Sequence, residues 1–206
     1  MKFILATKEN MTEYFGEDGV VVPVTILSAG PVTVTRIFSK EKDGYNSVQV
    51  GFGKQKKERI SKGRAGAMKG AFYKNLKEFR LKPVDKVTSK EGDVIDVSIF
   101  APGDLLQISS VSKGKGFQGV VKRHGFKGGR RSHGQKHSER EPGSIGGGGR
   151  AGGRVAKGMR MAGRMGGTRV TVKNLSVVKI VPETGEVFIS GAIPGRKGTK
   201  LEIRGK

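Results

Sequence analysis

Apolar and polar residues alternate along both flanks of this chain, in the pattern that half-buried β-strands produce. Before the middle of the chain, the alternating segments are VVVPVTIL, VTVTRIF, YNSVQVGF, DVIDVSIF and DLLQISSV, at 20–27, 32–38, 45–52, 93–100 and 104–111. After it they are TRVTVKNLSVVKIV, EVFISGAI and LEIR, at 168–181, 186–193 and 201–204. Turn residues divide these segments, and PETGE predicts a hairpin between the first two of the later group.

Short strands at this spacing are typical of a β-barrel or sandwich, and a small closed barrel leaves no exposed sheet edge. Neither flank has enough strands to close a barrel alone, so the two flanks must pair with each other. The predicted fold is therefore mainly β, with a barrel body interrupted by a long extended loop. We place the first part of the body at 1–112, the loop at 113–167 and the second part at 168–206.

One segment favours a helix instead of a strand. Met68, Phe72, Leu76 and Phe79 recur at spacings of four, four and three residues, which places them on one helical face. An apolar stripe at this spacing is far more often a core face than a ligand site. We predict a helix along GAMKGAFYKNLKEF, within a small α+β insertion at about 54–92.

Most of the positive charge lies in the middle of the chain. Residues 111–169 hold fifteen Lys and Arg against Glu139 and Glu141, which is net +13 of a formal +22, and eighteen of the 34 glycines. Such charge gains from a polyanion whose counterions it releases, so the predicted partner is nucleic acid. Apolar residues in this segment follow neither the strand nor the helix period. Burial cannot then offset the entropy of ordering the chain, and we expect the free segment to be disordered.

The stretch KGKGFQGVV at 113–121 has the glycine spacing G-x-G-x-x-G of nucleotide-binding loops. A dinucleotide fold needs a sizeable helix next, whereas the following glycines allow at most two helical turns. A protein kinase needs H-R-D and D-F-G motifs, and neither follows. An enzyme that binds ATP or a dinucleotide is thus the weaker alternative. Glycine also lets backbone N–H groups approach an anion closely, so we expect this loop to hold RNA phosphate.

The candidate RNA ligands share a cationic or imidazole side chain, because guanidinium and ammonium groups bind phosphate and arginine also stacks on bases. They are Lys113, Lys115, Lys122, Arg123, His124, Lys127, Arg130, Arg131, His133, Lys136, His137, Arg140, Arg150, Arg154, Lys157, Arg160, Arg164 and Arg169. The glycines predicted to let the backbone approach RNA are Gly114, Gly116, Gly119, Gly146 and Gly147.

His133 and His137 are spaced to face each other across a helical turn, which raises zinc as an alternative. The absence of cysteine, the surrounding cations and the lack of a clear third ligand favour contact with bases or phosphates. We predict no metal, cofactor or small-molecule substrate. A protein that bends duplex DNA is a further alternative, although no helix-turn-helix is recognisable.

The chain has no cysteine, a pattern that fits a reducing compartment. The apolar run at 3–6 is too short for a signal peptide, and no stretch approaches the roughly 20 apolar residues that span a bilayer. We expect a cytosolic protein with no membrane partner.

Specific motifs resemble the universal L-three family of large-subunit ribosomal proteins, in its bacterial form, over nearly the whole chain. They are MTEYFGEDG, VPVTILSAGP, EKDGYNSVQVGFG, LKEFR, SKGKGFQGVVKRHGFKGG, SHG, PGSIG, MAGRMG and TRVTVKNL. The resemblance implies a barrel of the translation-protein type and a basic loop that threads into large-subunit RNA toward the peptidyl-transferase centre. It also implies early binding during subunit assembly, neighbouring large-subunit proteins as partners, and no catalytic residues.

Two stretches depart from that family. In many members a glycine precedes the Met-Thr pair, whereas this chain reads ATKENMT there. We therefore expect its first strand to start differently. After PGSIG, many bacterial members carry a glutamine that becomes methylated, whereas this chain has Gly147, Gly148 and Gly149. We do not expect that modification here.

Overall fold

A computed structural model describes residues 2–68, 70–82 and 89–205, without the side chains of 67, 150 and 151. The strands are β1 Phe3–Phe15, β2 Val21–Ser28, β3 Val32–Phe38, β4 Ser47–Lys54, β5 Tyr73–Arg80, β6 Val94–Ile95, β7 Leu105–Val111, β8 Phe117–Gln118, β9 Gly163–Arg164, β10 Arg169–Val181, β11 Glu186–Ser190 and β12 Lys200–Gly205. The α-helices are α1 Lys40–Asp43, α2 Lys62–Ala67 and α3 Val120–His124. Short 3₁₀ helices occupy Lys57–Arg59, Val97–Ile99 and Gly148–Ala151.

Six antiparallel strands close into a barrel in the order β1, β12, β7, β10, β11, β2. Three of them precede the basic segment and three follow it, which confirms the prediction that the two flanks pair with each other. β10 and β11 form the hairpin that PETGE predicted. The mainly β fold class is confirmed.

The chain divides into two compact units. One consists of Met1–Val111 together with Arg169–Lys206, and we call it the body. The other is Ser112–Thr168, which we call the basic extension. Val111 and Arg169 are direct cross-strand partners in the body.

The core of the body lies inside the barrel and between the barrel and a second sheet, whose strand order is β5, β4, β3, β6. Four successive residues of β1, Phe3 to Ala6, are buried. Alternate side chains of a strand point to opposite faces, so burial of all four means that both faces of this stretch are covered. The ring of Phe3 stacks on that of Phe79 from β5, with ring centroids 4.5 Å apart.

The helix predicted along GAMKGAFYKNLKEF is wrong. α2 ends at Ala67, and the chain from Tyr73 onward is strand β5, which pairs with β4 through Leu76 opposite Gly51 and Phe79 opposite Val48. Gly51 has no side chain, and the Tyr73 ring lies over it, 2.3 Å from where a Cβ would be. Sheet pairing and this contact outweigh a local spacing that also fits a helix. Residues 83–88 of the predicted insertion lie outside the described residues.

Two further strand boundaries differ from the sequence prediction. The segment predicted at 93–100 pairs with β3 only through β6 and then turns into the 3₁₀ helix Val97–Ile99. The alternating pattern does not mark β1, because Phe3 to Ala6 are buried on both faces and a bulge between Lys8 and Asn10 then shifts the residues that follow to the other face. The bulge falls within ATKENMT.

Among the described residues, none of the helices has the length and apolar character needed to cross a membrane.

Candidate nucleic-acid interface

The basic extension starts and ends as two chain segments that run side by side. β8 pairs with β9 through Phe117 opposite Arg164. The ladder continues because the Met165 N–H donates to the Gly116 carbonyl and the Lys115 N–H donates to the Met165 carbonyl, each at 2.9 Å. The Ser112 N–H donates to the Thr168 carbonyl, also at 2.9 Å. Backbone hydrogen bonds therefore fix the base of the extension.

A glycine makes this close pairing possible. Gly166 has a φ of +75°, and a Cβ there would lie 2.2 Å from the Lys113 carbonyl oxygen. An L side chain would be strained by the left-handed backbone and would also collide with that oxygen. Gly128 is in a similar position, since its Cβ would lie 2.1 Å from the Glu139 carbonyl oxygen. The sequence pattern does not reveal this role of either glycine, because the partner residue is distant along the chain in each case.

Helix α3 follows β8 and is only five residues long. Gly119 is its N-cap, and Gly125 ends it in the left-handed conformation with φ of +71°. The prediction that glycines limit this helix to two turns is confirmed. Val120 at its start is the one buried hydrophobic side chain among the described residues of the extension.

Two predicted RNA ligands make contacts inside the extension. Arg123 Nη1 donates to the Met161 carbonyl oxygen at 2.6 Å, and His124 Nε2 lies 3.1 Å from the same oxygen. Both side chains are half-buried. A Cβ at Gly163 would lie 2.7 Å from Arg123 Nη1, so this glycine leaves room for the guanidinium. Arg123 and His124 thus tie α3 to the chain segment that enters β9.

Most other predicted ligands are exposed. These are Lys113, Lys115, Lys122, Lys127, Arg130, Arg131, His133, Lys136, His137, Arg140, Arg154, Lys157, Arg160, Arg164 and Arg169. Arg131 lies 3.3 Å from a Glu139 carboxylate oxygen, and Arg169 pairs with Glu202 of the body. Among the described side chains, Arg131 is the one cation of the extension with an ion pair to a carboxylate. The side chain of Arg150 lies outside the described part of the chain.

The predicted glycines and histidines have specific backbone conformations. Gly116 has a φ of +68°, whereas Gly119 and Gly147 have φ of −70° and −86°. A Cβ at Gly114 would meet no other atom within 4 Å, and a Cβ at Gly146 would make only ordinary contact. His133 and His137 have φ of +60° and +61°, so the helical turn that would have brought them face to face is not formed.

Phe117 is a surface aromatic that the set of predicted ligands omitted. Its side chain is 77% exposed, the largest exposure among the exposed large hydrophobic residues of the described chain. It lies in β8 directly opposite the exposed Arg164, and Lys115 and Gly116 precede it. An aromatic ring held among cations suits stacking on an unpaired base. The signal in the sequence was a phenylalanine within KGKGFQG, where no apolar period requires one.

These features define a class of protein: a basic nucleic-acid-binding protein with a closed barrel body and a cationic, glycine-rich extension. Unpaired cations on a hydrogen-bonded base, one exposed aromatic ring and a short helix provide surface for a polyanion. They do not provide the long helix that a dinucleotide fold requires.

Comparison with known proteins identifies the family. The model of the family described as Ribosomal protein L3 matches residues 78–188. A large ribosomal subunit protein uL3 from Roseiflexus sp. (strain RS-1) is 48% identical over 98% of this chain and 95% of the relative. Those of Herpetosiphon aurantiacus and Nocardia farcinica are each 47% identical, over 94% and 98% of this chain and 91% of each relative. The chain belongs to the ribosomal protein L3 family.

This assignment confirms the resemblance seen in the sequence. The family is a structural component of the ribosome and not an enzyme. The protein is therefore a structural constituent of the large ribosomal subunit and acts in translation. Its partners are ribosomal RNA and neighbouring ribosomal proteins, and its location is the cytoplasmic ribosome.

Proposed function

We propose that the basic extension is the part of this protein that binds large-subunit ribosomal RNA, with its exposed cations at phosphates. The observation that carries this proposal is the unbalanced charge of the extension. Residues 112–168 contain fourteen Lys and Arg and two Glu, and among the described side chains only Arg131 pairs with a carboxylate. Like charges at this density repel one another unless an external anion lies between them, and RNA phosphate supplies that anion.

The contacts of the extension assign different roles to its residues. Arg123 and His124 hold α3 against the Met161 carbonyl and act as positioning residues. A guanidinium has five N–H donors, so Arg123 can also donate to a phosphate while it holds that oxygen. Phe117 stacks on an unpaired base, and Arg164 opposite it binds the adjoining backbone.

Glycine has two separate uses here. Gly128, Gly163 and Gly166 leave room for atoms of the extension itself. Gly114, Gly116 and Gly119 have no heavy atom within 4 Å of where a Cβ would lie. At these open positions the backbone is accessible to a phosphate, and with Gly146 and Gly147 they are the glycines that we expect to lie against RNA.

We place the extension near the peptidyl-transferase centre, with the protein joining the subunit early in assembly, because the family resemblance implies both. The chain contains no cysteine, so an Arg154→Cys variant carries a single thiol. An iron chelate attached to that thiol in assembled subunits is expected to cleave RNA strands that line the centre. Cleavage confined to RNA at the subunit surface would contradict this placement.

The test of RNA binding is the salt dependence of affinity. Replacing Arg160 and Arg164 with alanine should weaken binding to large-subunit RNA. It should also flatten the plot of log K against log salt by about 0.7 to 0.9 for each phosphate that the variant no longer neutralises. The matched control replaces Lys40 and Lys42 of α1 with alanine, which removes the same charge from the body.

Equal changes in slope for the two double variants would show that net charge, and not the extension, determines binding. Competition by duplex DNA as effective as that by structured RNA would favour a DNA-binding protein. Retention on immobilised nucleotide that RNA does not displace would favour the enzyme alternative.

A further inference from the structure

The β1–β2 hairpin continues beyond the part of the barrel that pairs with other strands. β1 pairs with β12 from Phe3 to Thr7, and β2 pairs with β11 from Val24 to Ser28. Residues 10–15 pair with residues 21–26, so 13–15 and 21–23 extend past the pairing with β12 and β11, and the Gly16 N–H donates to the Val20 carbonyl at 3.0 Å to close the turn. We call residues 10–23 the hairpin arm.

One face of the hairpin arm is apolar and exposed. Phe15 lies opposite Val21 and Glu13 lies opposite Pro23, and side chains that are directly opposite share a face. Alternation along β1 adds Met11 to this face. Phe15 is 69% exposed, Val21 47% and Met11 43%.

Val20 in the turn is also exposed, at 60%, but the Gly16–Val20 hydrogen bond continues the pairing, so alternation places Val20 on the other face. Tyr14 and Val22, directly opposite each other on the other face, are half-buried. The exposed apolar side chains of the first face thus form a contiguous patch on a hydrogen-bonded hairpin. Contiguous patches of this kind mark interaction sites more often than scattered single residues do.

The charge around the patch is opposite to that of the chain as a whole. Residues 9–35 contain no Lys or Arg, although the whole chain has 40 of them. The same stretch contains Glu9, Glu13, Glu17 and Asp18. Glu13, Glu17 and Asp18 are exposed, and none of them forms an ion pair with another described residue. RNA phosphates are repelled by such a surface, so its occupant is not RNA.

We infer that the hairpin arm docks a cationic segment of a neighbouring large-subunit protein. Aliphatic or aromatic side chains of that segment cover Phe15, Met11 and Val21, and its Lys or Arg side chains pair with Glu13, Glu17 and Asp18. The inference rests on the proposed function, because a protein that lies on the same RNA must itself be cationic to bind that polyanion. Phe15 is at the centre of the surface, where aromatic residues contribute most to binding.

Cross-linking in assembled subunits tests this inference. The full chain, with photoreactive benzoylphenylalanine in place of Phe15, is incorporated into large subunits and irradiated, and the joined peptides are sequenced. We expect a cross-link to one other protein, at a peptide with apolar residues beside Lys or Arg. Phe15 is exposed, so this replacement leaves the core of the body intact.

Several results would overturn the inference. They are a cross-link to RNA alone, to a second copy of this chain or to an acidic peptide, or a yield no higher than that of the purified protein free in solution. The proposed function is tested separately by the salt slope of the extension variants, so the two ideas can fail independently.

A charge variant adds a second measurement. Glu13→Lys should lower the yield of the protein cross-link about fivefold or more, since it places a cation against a cationic partner. Thr12→Lys is the matched control, because Thr12 is exposed on the opposite face, where it pairs with Val24. Equal reductions for the two variants would show that the apolar, acidic face is not what the partner contacts.

Discussion

The body and the basic extension are stabilised in different ways. In the body, apolar side chains from all six barrel strands and from the second sheet form one buried cluster. In the described part of the extension, Val120 is the single buried hydrophobic residue, and backbone hydrogen bonds and the Met161 contacts hold its base. The body can offset its loss of conformational entropy by apolar burial, whereas the extension cannot.

This difference shows why the sequence separates so sharply into two compositions. A chain that folds on its own needs branched apolar residues in register. A segment that becomes ordered on binding RNA needs cationic side chains and few large apolar ones, since the favourable free energy of binding comes from released counterions.

Deleting the extension should have the largest effect. Val111 and Arg169 are cross-strand partners, so Asn-Gly in place of residues 112–168 closes a two-residue hairpin. We expect affinity for large-subunit RNA to fall by about 100-fold or more, and most of the salt dependence to disappear. The body should keep its circular dichroism and cooperative melting. Absence of that melting would show that the body depends on the extension.

Hydrogen exchange of the free protein should separate the two units. Amides in the barrel strands β7 and β10 should exchange only on global unfolding, whereas those at 126–160 should exchange with little protection. The ladder from Lys115 to Gln118 should be intermediate, and bound RNA should protect the whole extension. Strong protection of 126–160 without RNA would contradict the expectation that the extension needs RNA to become ordered.

A cavity in the barrel should destabilise only the body. Ile108 is fully buried and lies opposite Ile203, so Ile108→Ala should lower the free energy of unfolding by about 2–5 kcal/mol. Val111→Ala is the control in the same strand, because its side chain is exposed and its removal should change stability by less than about 0.5 kcal/mol. Denaturant melts compare the two, and the RNA salt slope should be unchanged in both.

Gly166→Ala should affect the base of the extension. A left-handed φ costs a residue with a side chain about 1–3 kcal/mol, and the added Cβ would also meet the Lys113 carbonyl. We expect faster amide exchange at Lys115 and Met165, together with weaker RNA binding. Gly114→Ala, at an open position with an ordinary φ, should leave that exchange unchanged. Similar exchange rates in both variants would contradict the packing role of Gly166.

The smallest effect concerns acid stability of the body. Lys2 Nζ donates to Asp104 at 2.7 Å and the Ala101 N–H donates at 3.1 Å, and these hydrogen bonds lower the pKa of Asp104 below its usual range. A carboxyl whose folded pKa is lowered stabilises the fold above its unfolded pKa, and this contribution disappears as pH falls through the folded pKa. Asp104→Asn should therefore lower stability at neutral pH and reduce its further decline in acid. An unchanged pH dependence would contradict this assignment.

The sequence pattern predicted much of the body and part of the site. The strand at 32–38 coincides with β3, and the PETGE hairpin and the pairing of the two flanks are confirmed. These succeeded because period-two alternation and turn residues act over a few neighbouring residues. The limit on the length of α3 was predicted for the same reason, since the glycines that bound it are adjacent to it.

The spacing of Met68, Phe72, Leu76 and Phe79 fitted a helix, and only pairing with β4 made their second half a strand. Tertiary structure also decided the bulge in β1, the contacts of Arg123 and His124 with Met161, and the exposure of Phe117 and Phe15. The sequence by itself determined most of the barrel strands, the turns and the separation of charge. It did not determine partners far apart in the chain, because those contacts depend on how strands pair in space and have no local period.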